Sequence, residues 1–315
     1  MQSLAKRNFL KLSLAATAAA ALAACGGGND AIPTPDIVGV LSADPQFSIL
    51  VEAVVAAGLV ETLKSPGPFT VFAPTNTAFA ALLVELKITK DQLLANKALL
   101  TRVLTYHVLA AKVPAASVPV GKTITTVETG VFKIESSGGL KITDESNRVS
   151  NITATDVAAS NGVIHVIDKV LLPSDKDIVA MAQSLAPEFS ILVEAVVAAG
   201  LVSTLQGPGP FTVFAPTNAA FAAALTELNV SKDDLFANTA LLTKVLTYHV
   251  VAARVLKAEV PIGAPITSVQ GETFTIDASL KITDQRARVA GISATDVFAS
   301  NGVIHVIDKV ILPKA

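Results

Sequence analysis

The hydrophobic and polar positions follow a helical pattern first and a strand pattern later. Asp44-Pro45 predicts a helix start, and the segment 47–57 that follows is apolar nearly all round, with Gly58 as its C-cap. We expect a helix of this kind to be buried on all sides. Further helical segments are predicted over 77–86, 90–95 and 98–106.

A short strand is predicted over 70–73, between the first two of these helices. Pro74 and Thr75 end the strand, and Asn76 is predicted to cap the helix that follows. Such a cap accepts a hydrogen bond from a free amide at the helix start and contributes ~1 kcal/mol. Asn218 stands in the same context later in the chain, and we expect the same role there.

After His107 the chain changes to short β-rich segments separated by turns. Asn161-Gly162 predicts a hairpin between the last two of them. Helices followed by strands indicate an α+β fold with a mainly antiparallel sheet. The predicted strands lie at 123–127, 131–135, 140–143, 149–154 and 163–172.

The whole arrangement occurs twice. Residues 67–76 read GPFTVFAPTN, and residues 209–218 repeat them letter for letter. Other long segments return as well, at a spacing of 142 residues before the segment 136–139 and of 140 residues after it, because the second copy is two residues shorter there. A spacing of this length is too large for a solenoid repeat and indicates two tandem domains. We predict a first domain over 36–173 and a second over 174–315.

Composition agrees with two globular domains. The chain has 315 residues, of which 51% are hydrophobic and 16% are charged. This is enough apolar material for a sizeable core in each copy. The formal charge of −2 and the lack of a basic stripe argue against a nucleic-acid partner.

The first residues have the pattern of an export signal. A basic head precedes an apolar run that is too short to span a bilayer as a helix. The run ends in LAAC at 22–25, which resembles a bacterial lipobox. It predicts a signal peptide over 1–24, lipidation of Cys25 and a flexible tether over 25–35. The alternative is an ordinary signal peptide with an incidental cysteine.

The export route and the target membrane follow less directly. The head KRNFLK resembles a twin-arginine signal whose first arginine is replaced by lysine, so both export routes stay open. Gly26 differs from the aspartate that resembles an inner-membrane retention signal, and we therefore expect an outer-membrane lipoprotein, on its periplasmic or surface side. Cys25 is the only cysteine, which excludes disulfides and thiolate sites from the domains.

Three motifs occur in the same order in both copies and resemble those of the fasciclin family. They are the strand–turn–helix GPFTVFAPTN, a Tyr-His pair after a helix, and the hairpin NGVIHVID. The resemblance implies two tandem fasciclin-like domains, each a β-wedge of mainly antiparallel strands flanked by N-terminal helices. It also implies an extracellular or envelope-facing protein linked to adhesion or polysaccharide attachment, and it does not imply an enzyme.

All four histidines lie in the repeat, which invites a metal or acid–base interpretation. No metal-binding spacing such as His-x-x-His occurs, and a zinc site needs three or four protein ligands. Strand alternation places His165 and Asp168 on opposite faces, and His305 and Asp308 repeat that arrangement. We therefore expect structural histidines, no metal and no cofactor.

Tyr106-His107 and Tyr248-His249 are the candidate binding residues. The family resemblance implies this role, because a Tyr-His motif flanked by bulky aliphatic residues is linked to integrin-type adhesion in animal fasciclin domains. The same apolar flanks are typical of a buried helix end, so packing is the alternative interpretation.

The combined expectation is a lipid-anchored, monomeric module that attaches to a protein or polysaccharide at a cell surface or matrix. A carrier of a small apolar ligand is the alternative, motivated by the mean hydropathy of +0.57. A carrier needs a closed apolar cavity, and an enzyme needs converging polar groups that no motif here indicates. The copies differ at 145–151 and 285–291, where we expect solvent-facing loops.

Overall fold

The computed structural model describes residues 34–314, within a compact unit spanning Thr34–Ala315. The predicted signal peptide, the lipidation site Cys25 and most of the tether lie outside the described residues. The two copies form two domains of the same architecture, joined by residues 173–177, which we call the linker.

Domain 1 begins with helices, and most of its strands follow. A 3-10 turn at Pro45–Phe47 leads into the second helix, and another lies at Ala115–Ser117. The helices are α1 (Ile37–Ala43), α2 (Ser48–Ala57), α3 (Val60–Lys64), α4 (Asn76–Leu86), α5 (Lys90–Ala95) and α6 (Lys97–Tyr106). The strands are β1 (Phe69–Pro74), β2 (Val108–Leu109), β3 (Ile124–Thr125), β4 (Val131–Glu135), β5 (Lys141–Thr143), β6 (Val149–Ala159) and β7 (Gly162–Ile167).

Domain 2 repeats this order, with a 3-10 turn at Lys257–Glu259. Its helices are α7 (Ile178–Ser184), α8 (Ser190–Ala198), α9 (Val202–Leu205), α10 (Asn218–Leu228), α11 (Lys232–Ala237) and α12 (Thr239–Tyr248). Its strands are β8 (Phe211–Pro216), β9 (Val250–Val251), β10 (Pro265–Thr267), β11 (Thr273–Ile276), β12 (Lys281–Thr283), β13 (Val289–Ala299) and β14 (Gly302–Ile307).

Each domain contains a seven-stranded sheet with the same strand order. In domain 1 the order is β2-β1-β7-β6-β5-β4-β3. Every neighbouring pair is antiparallel except β1 and β7, and the equivalent pair in domain 2 is β8 and β14. The predicted α+β fold with a mainly antiparallel sheet is confirmed. The parallel pair joins the first strand of the domain to its last.

The first predicted helix forms, but it is not buried on all sides. The Asp44 carboxylate accepts a hydrogen bond from the Gln46 amide at 3.0 Å and starts the 3-10 turn that leads into α2. Gly58 ends the helix with φ 74°. Val55 is 61% exposed, so the prediction of full burial is wrong. Helices α1, α4, α5 and α6 cover the other side of α2 and leave this one to solvent.

Helix α1 was not predicted from the sequence. Its start is held by the Asp36 carboxylate, which accepts from the Gly39 amide at 2.8 Å. The side chain of Asn161, 124 positions further along, accepts from the Ile37 amide at 3.0 Å. A helix of seven residues is too short to show a clear hydrophobic period. One of the two side chains that bond the amides at its start belongs to a distant hairpin.

The predicted hairpin forms at Asn161-Gly162, but for a different physical reason. Ala159 pairs with Gly162, so Ser160 and Asn161 make the turn. Neither Asn161 nor Gly162 has the positive φ that a type I′ turn requires. Gly162 is needed for close approach instead, because a Cβ there would lie 2.3 Å from the carbonyl oxygen of Phe69 on β1.

Strand β1 divides the core of domain 1 into two clusters. Val71 and Ala73 pack against the helices, while Phe72, on the opposite face, packs inside the β-wedge. Phe72 meets the ring of Phe132 edge-on at 5.2 Å, and Tyr106 meets the same ring at 6.1 Å. Domain 2 repeats this aromatic cluster with ring distances of 5.2 and 5.8 Å.

Within residues 34–314, no single helix has the length and apolarity needed to cross a membrane. Ile37–Ala43 and Pro45–Ala57 reach that composition only together, as a pair bent by 108°.

We expect Gly162→Ala to destabilise domain 1 by ~2–3 kcal/mol, because the new methyl group overlaps backbone that cannot retreat without breaking the β1–β7 pairing. Urea unfolding of the 34–315 fragment, followed by circular dichroism, measures this. Ser160→Ala in the same turn is the control and should change stability by less than ~0.5 kcal/mol. Equal stability of Gly162→Ala and the parent fragment would contradict the close-approach explanation.

Candidate functional site

Tyr106 is fully buried at the end of α6. Its hydroxyl donates to the carbonyl oxygen of Val131 at 2.5 Å and accepts from the Glu145 amide at 2.9 Å. Burial, with nearby carboxylates, raises the pKa of Tyr106 well above its ordinary value, so the hydroxyl keeps its proton. Tyr106 thereby holds β4 and the β5–β6 turn against α6. Tyr248 makes the corresponding bond to Thr273 at 2.8 Å.

His107 follows at the C-cap of α6. Its Nδ1 lies 2.7 Å from the carbonyl oxygen of Val103, and its Nε2 accepts from the Leu171 amide at 2.9 Å. Only a neutral ring with its proton on Nδ1 satisfies both contacts. Burial lowers the pKa of His107 to about 4. The ring therefore joins the end of α6 to the chain after β7.

These side chains do not form part of the surface. Tyr106 and Tyr248 are 0% exposed, and His107 and His249 are 2% exposed. A side chain without accessible surface cannot contact a partner directly. The prediction that the two Tyr-His pairs contact a binding partner is therefore corrected, and the packing interpretation describes them.

His165 and His305 join a strand to a loop in each domain. His165 donates from Nε2 to the carbonyl oxygen of Val113 at 2.9 Å, and its Nδ1 accepts from the Asp156 amide at 3.3 Å. Asp156 lies at an irregularity in the β6–β7 pairing with φ 60°, which turns its amide towards the ring. His305 makes the same two kinds of contact in domain 2.

Asp168 and Asp308 have other partners. Asp168 accepts from the backbone amide of Asn151 at 2.7 Å and from its side-chain amide at 2.6 Å. Partial burial opposes ionisation, but these bonds outweigh it and lower the pKa of Asp168. Asp308 accepts from the Gly291 amide at 2.7 Å. Both carboxylates fasten the long strand β6 or β13 to the end of its neighbour, and neither bonds a histidine.

Asn76 and Asn218 cap helices, but not the ones predicted. Thr75 caps α4 by accepting from the Ala78 amide at 3.3 Å. Asn76 is the first residue of α4, and its side chain accepts from the Ile49 amide at 3.0 Å, at the start of α2. Asn218 does the same for α8. The prediction failed because the helix start that Asn76 serves lies 27 positions earlier in the chain.

The two domains contact each other through buried polar groups. The Lys133 ammonium lies 2.9 Å from the Asp296 carboxylate, and these side chains are 10% and 4% exposed. Burial opposes the charged form of Lys133, yet its bonds to Glu135 and Asp296 outweigh that effect and raise its pKa. Thr123 donates to the Glu259 carboxylate at 2.9 Å. We call this set of interdomain contacts the docking contact.

Two further elements complete the docking contact. The side chain of Asn147 bonds both the amide and the carbonyl of Phe298, at 2.7 and 3.0 Å. The Arg254 guanidinium lies 3.4 Å from the Glu145 carboxylate. An apolar seam lies beside them and consists of Val131, Leu256, Phe298 and Val303.

The segments that differ between the copies are not equivalent surfaces. Glu145 is 2% exposed, and its carboxylate accepts from the Ser174 amide in the linker at 3.2 Å and pairs with Arg254. Its counterpart Gln285 is exposed. The expectation of a solvent-facing loop is therefore wrong at Glu145, whereas Asn147, Val149 and Asn151 in the same segment are exposed. Domain 2 and the linker cover that side of domain 1.

A cleft of about 430 Å³ opens between the domains, and we call it the junction cleft. Thr129 on its rim has φ 82°, a left-handed conformation that β-branched residues rarely adopt. Domain 2 has Gly271 at this position. Such strain costs ~1–3 kcal/mol and is typical of functional sites. The polar lining includes Thr123, Thr125, Thr129, Arg254, Ser300 and Asn301.

Sequence reasoning missed this cleft because its two sides are far apart in the chain. The available signal was the mismatch at Thr129, where the otherwise similar second copy has glycine. A second cleft of about 440 Å³ lies at the linker beside Arg102. The guanidinium of Arg102 is already bonded by Glu128, Asp175 and the Ser174 carbonyl, so its nitrogens are engaged within the protein.

Two apolar pockets in the domain cores are small. One in domain 1 has a volume of about 50 Å³, and one in domain 2 has about 30 Å³. A cavity of roughly 150 Å³ is needed for a molecule the size of benzene. Within residues 34–314, no group of three or more His, Cys, Asp or Glu side chains is arranged to hold a metal ion.

Comparison with known proteins agrees with this architecture. The family description "Fasciclin domain" matches residues 45–173 and 187–313. An uncharacterized protein of Synechocystis sp. is 44% identical over 138 residues, which are 44% of this chain and 98% of that protein. The transforming growth factor-beta-induced protein ig-h3 of Sus scrofa is 28% identical over 257 residues, 80% of this chain and 35% of that protein.

A solved structure also aligns with the chain. It is a FAS1 domain pair from the insect cell adhesion molecule Fasciclin I, with a TM-score of 0.42 and 15% identity, covering 87% of this chain and 95% of that one.

We expect Tyr106→Phe to destabilise domain 1 by ~1–3 kcal/mol, because the buried Val131 carbonyl and Glu145 amide lose their partner. Both residues also contact domain 2, so the coupling between the unfolding transitions of the two domains should weaken. Differential scanning calorimetry of the 34–315 fragment measures both effects. Tyr248→Phe is the matched control and should destabilise domain 2 while leaving the docking contact intact. Unchanged stability of Tyr106→Phe would refute the role given to its hydroxyl.

The buried histidines should make the fold sensitive to acid. Burial lowers the pKa of His249 to about 4, below the ordinary value of 6.5. Between these values the unfolded chain binds the extra proton and the folded chain does not, so stability falls as pH drops from 6.5 to 4. The difference amounts to ~3 kcal/mol for a fully buried ring.

His249→Gln should remove this contribution while keeping one donor and one acceptor for the Val245 carbonyl and the Ile311 amide. The stability lost by the variant relative to the parent should therefore shrink between pH 7 and pH 4, as followed by urea unfolding. Domain 2 suits the test because burial raises the pKa of Asp144 in domain 1 to about 6, which acts in the opposite direction. A constant difference across this range would contradict a neutral buried ring.

Proposed function

The chain belongs to the fasciclin domain family, and on this premise we propose that it is a binding module that attaches to a polysaccharide or protein at a cell surface or matrix. Fasciclin domains occur in adhesion-related proteins. The observation that carries the proposal is the junction cleft, a groove with hydroxyl groups on its rim that exists only where the two domains meet.

The chemistry of the junction cleft suits a hydroxyl-rich ligand. Thr125 and Thr129 are exposed on one side of it, and Arg254 and Ser300 lie on the other. Hydroxyl groups both donate and accept hydrogen bonds, as the hydroxyls of a sugar do. Arg254 bonds the Glu145 carboxylate and the Ser300 carbonyl, at 3.4 and 3.3 Å, and forms part of the cleft wall. Polysaccharide is therefore the favoured partner.

The mode of attachment to the cell rests on the start of the sequence. We include in the proposal that the chain is exported, cleaved before Cys25 and held by a lipid at the outer membrane, on its periplasmic or surface side. The tether over 25–35 would then hold the two domains away from the bilayer. Globomycin, which blocks lipoprotein signal cleavage, tests this part, since it should cause an uncleaved precursor to accumulate.

The other functions that the sequence suggested have less support. A carrier of an apolar ligand needs an enclosed cavity, and the cavities of about 50 and 30 Å³ are too small. An enzyme needs a nucleophile or base in a shaped pocket. Nothing in the described part of the chain points to catalysis, because its four histidines are all bonded to backbone groups. We propose a non-enzymatic role that requires no cofactor.

We expect Thr125→Glu to reduce binding of the 34–315 fragment to immobilised cell-envelope polysaccharide by at least tenfold, because the longer charged side chain occupies the cleft rim. Surface plasmon resonance with neutral and acidic polysaccharides measures this. Thr267→Glu is the matched control, since Thr267 is the equivalent exposed residue of domain 2 and lies outside the cleft. Equal binding by both variants would show that attachment does not use the junction cleft.

A further inference from the structure

The docking contact joins two unlike faces of two similar domains. Domain 1 uses its tail face, which we define as Thr123, Val131, Lys133, Glu145 and Asn147. Domain 2 uses its head face, which we define as Arg254, Leu256, Glu259, Asp296 and Phe298. Each domain also has the other face, because the two folds are the same. The pair therefore ends in a free head face on domain 1 and a free tail face on domain 2.

A head-to-tail contact of this kind has no built-in end. When one surface binds a different surface on an identical unit, addition continues into open chains unless the geometry closes a ring. Two copies of a nearly repeated domain are therefore at risk of adding further chains through the same contact. The sequences of the two free faces show how this chain differs from such a repeat.

The free tail face of domain 2 lacks every group that domain 1 uses. Charged or amide groups are replaced by smaller or uncharged ones, and the apolar seam residue becomes polar. In the order of the tail face as defined, the equivalent residues are Pro265, Thr273, Thr275, Gln285 and Ala287. All of them are exposed or half-buried.

The free head face of domain 1 differs from the head face of domain 2 at four of its five positions. The seam residues Leu256 and Phe298, both 0% exposed in domain 2, are matched by Pro114 and Ala158 in domain 1. Ala158 is exposed. Lys112 and Ser117 replace the arginine and the glutamate, and only the aspartate is retained, as Asp156.

Other long segments of the repeat are unchanged. The segments 47–60 and 189–202 are identical, as are 159–170 and 299–310. The copies also differ at exposed positions elsewhere, but all five tail-face positions and four of the five head-face positions differ, while the buried Tyr-His pairs behind them are unchanged. The packing of the Tyr-His pairs therefore does not require the differences on the faces.

We propose that these differences allow one docking contact within the chain and prevent the two free faces from binding each other, so that a second copy of the chain cannot add. A phenylalanine is present only where domain 2 packs it against domain 1. The lysine of the buried pair is present only where its aspartate partner is covered. The pair of domains is thereby a rigid monomer.

The first test removes the side chains that form the docking contact within the chain. In the 34–315 fragment, the tail face of domain 1 receives the residues of domain 2: Val131→Thr, Lys133→Thr, Glu145→Gln and Asn147→Ala. Small-angle X-ray scattering should show a larger radius of gyration, and calorimetry should show two separate transitions in place of coupled ones. Each new residue already serves the same fold in domain 2, so both domains should keep their circular dichroism.

A matched control carries the same number of copy-to-copy replacements at exposed positions away from the docking contact. These are Glu61→Ser, Thr77→Ala, Val84→Thr and Lys87→Asn. The control should keep the scattering profile of the parent fragment. If the variant with the replaced tail face of domain 1 also keeps that profile, the proposal is overturned, because the differing residues would then not hold the domains together.

The second test introduces the contacting residues on the two free faces. A head variant carries Lys112→Arg, Pro114→Leu, Ser117→Glu and Ala158→Phe, and a tail variant carries Pro265→Thr, Thr273→Val, Thr275→Lys, Gln285→Glu and Ala287→Asn. By sedimentation velocity, each variant alone and the parent fragment should stay monomeric. The mixture should form a one-to-one complex of twice the mass, since each variant offers a single active face. Self-association of the parent fragment, or a mixture that stays monomeric, would refute the proposal that these residues decide which faces bind.

Discussion

The hydroxyl group of Tyr106 is the contact on which most of the architecture depends. It lies at the end of the last helix and bonds the Val131 carbonyl and the Glu145 amide, which belong to a strand and to a turn. Much of the contact between the helical half and the sheet half of the domain is apolar packing, which is not directional. A fully buried hydroxyl that donates once and accepts once fixes the strand and the turn relative to α6. The neighbouring His107 adds a third such link, to the chain after β7.

The same hydroxyl also positions one side of the docking contact. Val131 contributes to the apolar seam, and the Glu145 carboxylate pairs with Arg254 across the junction. Residues that resemble a family adhesion motif therefore act from inside the domain, by shaping a face that another domain covers. In domain 2 the equivalent tyrosine supports a face that is left uncovered. The same buried tyrosine therefore lies behind a covered face in domain 1 and behind an uncovered face in domain 2. The residues on that face decide whether another domain covers it.

The junction cleft exists because the docking contact brings the two domains together. Its walls come from the strands of one domain and from loops of the other, so neither domain forms it alone. Rigidity matters for binding, since a site that is already assembled loses less conformational entropy when a ligand arrives. The buried ion pair of Lys133 and Asp296 contributes to this rigidity more through geometry than through net energy, because desolvation offsets much of the attraction between buried charges. A duplicated domain has in this way acquired a surface that one domain does not have.

The sequence by itself determined the domain count, the α+β class, the order of most strands along the chain and the hairpin at Asn161-Gly162. These follow from periodicity, turn residues and the internal repeat, all of which are local or directly visible signals. Tertiary structure alone decided which helix Asn76 caps, why residue 162 is glycine and where Tyr106 lies. Each of these depends on groups that are distant in the chain and adjacent in space, and a linear pattern carries no record of such distances. The exposed side of α2, including Val55, was misjudged for the same reason, since apolarity along a helix does not show how many neighbours cover it. The docking contact lies between these cases: the sequence displayed its residues as differences between the copies, but only the fold showed that they meet.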